Sequence, residues 1–115
     1  MRWMQGVAGL MGVGGIIGAT LYAHAVPQPA LGQAAYMALF HTAPLLYLSL
    51  QPQYFLHTLA GVGFTMGTLL FTGSIYLKYL AGWGGATAVA PAGGILLLLS
   101  WLVVGIAGFW RKGVS

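Results

Sequence analysis

The chain is 115 residues long and only 3% charged, with four Lys or Arg and neither Asp nor Glu. It is 59% hydrophobic with a mean hydropathy of +0.88, whereas about a quarter of a soluble domain is charged, so hydrocarbon and not water must solvate its outside. The composition excludes paired-carboxylate catalysis, an acidic proton relay and a Ser–His–Asp triad, and the absence of Cys excludes disulfides, iron–sulfur clusters and thiolate metal sites.

Four apolar segments follow one another, each long enough to cross a bilayer as a helix. The first runs from about Met4 to Ala25 and stops at Val26-Pro27-Gln28-Pro29. Arg2 and the Ala23-His24-Ala25 stretch give it a superficial likeness to a secretory signal, but its apolar run exceeds the usual ~7–15 residues, so it reads as a retained span. The second runs from about Leu31 to Leu50 and ends at Gln51-Pro52-Gln53. The third, Tyr54 to Leu80, is followed by Ala81-Gly82-Trp83-Gly84-Gly85, and the fourth runs from Pro91 to Trp110. None shows the two-residue alternation of a barrel strand, and helices are the other backbone solution in lipid. The expected architecture is all-α: one integral-membrane domain over residues 1–115, a four-helix transmembrane bundle running up-down-up-down with short loops.

Charge and aromatic placement set the expected orientation. The net charge of +4 comes from Arg2, Lys78, Arg111 and Lys112, too scattered for the cationic face that nucleic acid needs. Three of these four fall on the side of the two termini, which the positive-inside rule reads as N-in, C-in. Tyr22, Tyr54, Tyr76, Tyr79, Trp83 and Trp110 lie near span ends, as an interfacial belt requires; Trp101 lies mid-span and must face lipid or a neighbouring helix.

Small residues point to close helix contact. Ala8, Gly12, Gly15 and Ala19 align along the first segment, and Ala60, Gly63 and Gly67 along the third. Lipid gives no hydrophobic reward for helix association, so dispersion between closely approaching backbones must supply it. The expectation is that these two seams meet.

The three histidines are the candidate proton or metal groups. His41 falls near the middle of the second segment, at the depth of Gly15, Thr68 and Ser100 when counted at about 1.5 Å per residue. Two readings apply: a histidine satisfied by Thr68, Thr72 or Ser100 that ties helices together, or a functional intramembrane group. Pro44 removes a backbone donor one turn later. His24 and His57 fall at interfaces. His57 and His41 should differ in depth by roughly 8 Å, which disfavours a bis-histidine haem. Met37 and His41 share a helix face, but two ligands are too few for a copper(I) site. No cofactor and no metal is expected.

Phe71-Thr72-Gly73-Ser74-Ile75-Tyr76 and Ala90-Pro91-Ala92-Gly93-Gly94, with Ala23-His24 and Phe40-His41, resemble the domain of unknown function 423 family. Tyr22, Thr72 and Ala90 depart from its pattern. The resemblance covers nearly the whole chain and implies a small four-helix protein of the bacterial cytoplasmic (inner) membrane, a relative of mitochondrial transmembrane protein 256, without an established activity. It draws attention to Gly73, Ser74, Pro91, Gly93 and Gly94 as a packing node beside His24, or as a binding site for a lipid head, a quinone or a partner loop. The expected function is that of a non-enzymatic accessory or assembly subunit, embedded in the lipid bilayer and packed on another integral-membrane protein, with self-association compatible. One alternative is a small oligomeric transporter or channel with a polar layer at His41, Thr68 and Ser100. A second is a lipid- or quinone-binding protein using His24, His41, Thr68, Ser74 or Ser100.

Overall fold

A computed structural model describes residues 2–52 and 54–114, with side chains through Phe109. Among the described residues every regular element is helical: α1 (Arg2–His24), α2 (Pro29–Leu50), α3 (Phe55–Thr68), a π turn (Leu69–Gly73), α4 (Ser74–Ala81), a 3-10 turn (Gly84–Val89) and α5 (Ala90–Val114). Because α3, the π turn and α4 form one rod, these elements make four antiparallel rods in an assembly about 50 Å long. The belt position Trp110 and the cations Arg111 and Lys112 lie outside the described side chains.

The breaks follow from local chemistry. The N–H groups of Ala25 and Val26 both return to the Leu21 carbonyl, and the prolines at 27 and 29 prevent continuation. Pro29 then occupies the first turn of α2, where its missing N–H would have been unpaired anyway. At the other end Gln51 precedes Pro52 and is extended (φ −86°, ψ 154°), as the proline ring demands. The third rod stops at Gly82, whose φ of 80° is the left-handed conformation that glycine tolerates. The 3-10 turn after Trp83 replaces the expected loop and leads straight into α5.

Three rods, Arg2–His24, Phe55–Ala81 and Gly84–Phe109, are long and apolar enough to cross a membrane. At 22 residues α2 spans roughly 33 Å, but Gln33, His41, Thr42 and Ser49 reduce its apolarity. Leu10, Phe40, Leu50, Phe55 and Phe109 stand open on the outside. The interior is narrow: Met4, Ala8, Leu45, Leu48, Ala60, Phe64 and Leu97 form its core. An exterior of large apolar residues around an interior rich in small ones is the reverse of a water-soluble bundle, and it marks a membrane protein.

The two small-residue seams do not meet each other. Each faces the neighbour in its own hairpin, since α1 packs chiefly on α2 and α3 on α5. Gly15 lies against Leu39 and the Ala35 carbonyl of α2, whereas a side chain at Gly12 would meet nothing within 4 Å. Gly63 faces Ser100, and Gly67 faces Leu97 and the Gly93 carbonyl. The first rod reaches the third through long side chains instead: Met4 lies over Gly61, and Tyr76 fits against Gly18. Sequential helices joined by short connections pack side by side, and that proximity outweighs the likeness of the two seams.

Candidate functional site

His41 stands at the middle of α2, only 2% exposed. Its Nδ1 lies 2.7 Å from the Met37 carbonyl and its Nε2 3.0 Å from the indole Nε1 of Trp101 on α5. A carbonyl only accepts and an indole N–H only donates. The arrangement is satisfied by the neutral ring, with Nδ1–H donating to Met37 and Nε2 accepting from Trp101. Both ring nitrogens are therefore engaged. The rings of Phe40 and Phe64 pack around the pair, with Phe64 edge-on to Trp101 at a centroid distance of 5.2 Å.

The expected partners of His41 take other roles. Ser100 donates to Leu96 of its own helix at 2.7 Å. Thr72, in the π turn, donates 2.8 Å across to the Ala34 carbonyl of α2. Thr68 is buried, and its hydroxyl has no hydrogen-bond partner. Among the described residues no hydrogen bond links His41, Thr68 and Ser100 into a polar layer. The signal that finds Trp101 is its depth: an indole donor away from both interfaces, in a helix whose neighbours are hydrocarbon, needs an acceptor.

A second node surrounds the π turn. A Cβ at Gly93 would stand 2.5 Å from the Phe71 nitrogen and 2.7 Å from the Gly67 carbonyl oxygen, so the backbone of α5 lies directly on the widened turn. Tyr76 does not sit in an interfacial belt; it turns inward and donates to the Gly14 carbonyl of α1 at 2.8 Å. Thr72 and Tyr76 thus tie the third rod to both helices of the first hairpin. Ser74 is buried and donates to Phe71 within its own rod. Gly73 and Gly94 make only ordinary contacts, with Leu69 and Phe71 respectively, and Pro91 is exposed in the first turn of α5. His24 is exposed at the end of α1, and among the described residues no hydrogen bond joins it to Ser74.

Among the described residues, three of the surface recesses stand out. One of about 410 Å³ lies between Tyr22 and the Gly32–Phe40 face of α2. A larger apolar groove of about 660 Å³ lies between α4 and the 3-10 turn, from Leu69 to Trp83 and Val89. The third, of about 210 Å³, lies at the end of the bundle that carries the N-terminus, where Gln51 and His57 meet Val104 and Ala107. His57 is buried and bonds through Nδ1 to the Pro52 carbonyl at 2.7 Å.

Four apolar rods tied by buried side-chain hydrogen bonds define a small multi-pass helical membrane protein. The chain belongs to the family described as Protein of unknown function (DUF423), whose model matches residues 17–94. The match takes in His24, His41, Thr72 and Gly93 and stops short of Trp101 and the α5 residues of the third recess. No curated protein and no solved structure matches the chain.

Proposed function

We propose that this protein is a non-enzymatic accessory or assembly subunit that packs through its lipid-facing surface on another integral-membrane protein. The observation that carries this reading is the closed interior. His41, Thr72, Tyr76 and Ser100 each bond within the bundle, three of them to another rod or its backbone. The polar chemistry inside holds helices together, which leaves the outside to act. There, Gly6 and Gly9 of α1 and Gly105 of α5 have open space where a side chain would stand. Bare backbone facing hydrocarbon gains nothing for a lone bundle, but it lets another helix approach.

The membrane in this reading is the bacterial cytoplasmic membrane, with both termini inside, on the strength of the family resemblance and of Arg2, Arg111 and Lys112 against Lys78. The transporter alternative draws no support from the polar residues named for it, because His41, Thr68 and Ser100 do not join. The test is extraction of the tagged chain into nanodiscs without detergent exchange, followed by cross-linking. A defined membrane protein should co-purify and be lost on Gly9→Leu or Gly105→Leu, both of which replace exposed residues. Recovery of a sole monomer from native membrane would refute the reading.

A further inference from the structure

The recess at the N-terminal end of the bundle has the chemistry of a small-molecule site. Tyr47, Gln51 and His57 form its polar edge, and Leu48, Val104 and Ala107 form apolar walls. His57 is 6% exposed. Its Nδ1–H must donate to the Pro52 carbonyl, 2.7 Å away, because that oxygen can only accept. The neutral ring then carries its lone pair on Nε2, which has no hydrogen-bond partner among the described residues. That lone pair opens on the recess, so a ligand that enters can donate to it. Among the described residues no charged side chain lines the recess, and a neutral donor matches that lining. At about 210 Å³ the space suits one ring and not a whole lipid, since sites for drug-sized ligands run to ~300–1,000 Å³. Tyr47 and Gly108 are exposed at its rim, giving an apolar tail a lateral exit into the membrane.

We propose that this recess binds the hydroxylated ring of a lipid-soluble quinol, with one ring hydroxyl donating to Nε2 of His57. The oxidised quinone presents only carbonyl acceptors to that lone pair, so the site prefers the reduced form. The inference concerns binding alone and does not depend on the accessory reading. A glycerol hydroxyl of a phosphatidylglycerol head shares the donor chemistry and is the competing source.

The test uses the full chain, ¹⁵N-labelled at histidine, in phosphatidylcholine nanodiscs titrated with a short-chain ubiquinol and separately with its quinone. Quinol should bind saturably and shift the His57 Nε2 resonance while leaving that of His41 in place, and quinone should bind about tenfold more weakly, the equivalent of one hydrogen bond. His57→Phe removes the acceptor together with the Pro52 bond. Gly108→Leu fills the recess from α5, where a Cβ would meet nothing within 4 Å, and it leaves that bond intact. Both variants should lower quinol affinity about tenfold or more, with Gly108→Leu retaining the wild-type melting transition. Equal binding of quinol and quinone would overturn the proposal, as would unaltered affinity in Gly108→Leu. A His57 shift produced by phosphatidylglycerol discs without quinol would assign the site to the lipid head instead.

Discussion

Replacing Trp101 by Phe removes a single N–H and leaves most of the surrounding ring packing. The indole touches His41, Phe40 and Phe64, and a phenyl ring in the same place keeps the edge-on contact with Phe64. Trp101 is 39% exposed, and hydrocarbon fills whatever area the smaller ring gives up, so the packing change is small. The main effect is electrostatic: Nε2 of His41 loses its donor in a place only 2% exposed. A typical hydrogen bond contributes about 0.5–1.5 kcal/mol and an orphaned buried acceptor costs about 1–3 kcal/mol. Interhelical bonds in membranes average nearer ~0.6 kcal/mol because the unfolded chain also finds partners in lipid. The expected destabilisation is therefore about 1–2 kcal/mol, read by reversible unfolding in bicelles. The ¹⁵N resonance of His41 Nε2 should move toward that of an unbonded lone pair while Nδ1 stays protonated. A loss below about 0.3 kcal/mol with an unmoved Nε2 resonance would refute the pairing and the tautomer assigned to it.

Two threonines one turn apart should respond in opposite directions. Thr68→Val replaces an unpartnered buried hydroxyl by a methyl of similar size and should be neutral or stabilise by up to about 1 kcal/mol, whereas Thr72→Val breaks the bond to Ala34 and should destabilise by about 0.5–1.5 kcal/mol; the same unfolding assay ranks them. Gly93→Ala adds a methyl against the backbone of the π turn, where no flexible side chain can move aside, and should cost about 1–3 kcal/mol as overpacking; cysteine cross-linking between α3 and α5 would report the rods moving apart.

The rods were legible because hydropathy and proline placement act locally. Val26-Pro27-Gln28-Pro29 and Gln51-Pro52 stop helices regardless of what packs on them, and the observed ends fall within a few residues of those signals. His41 was legible as an interior polar group, since an imidazole at mid-span must be satisfied somehow. Its partner was not. Counting depth led to Ser100, but the adjacent Trp101 reaches the ring because its indole is longer, and Ser100 finds an acceptor in its own helix. Likewise the seams on the first and third segments were visible as small residues, but nothing in their spacing says which neighbour each meets. The π turn was invisible: Leu69-Leu70-Phe71-Thr72-Gly73 has no composition that asks for a wider turn, so its cause lies in what packs around it.

That packing gives the π turn a reason. Along the third rod, the residues before the turn present Gly63 and Gly67 to α5, while Thr72 within the turn reaches α2 and Tyr76 after it reaches α1. A regular helix advances about 100° per residue, which fixes how far round the rod these groups can lie. A widened turn changes that phase locally, and such turns recur where a helix serves two packing directions or a functional site. The backbone at Gly67 and Phe71 also lies against Gly93, so α5 makes a close backbone approach where the helix departs from regularity. The cost of the irregular turn is set against one hydrogen bond to each helix of the opposite hairpin, and those two bonds act with the Trp101–His41 bond and the shared apolar core to join the hairpins into a single bundle.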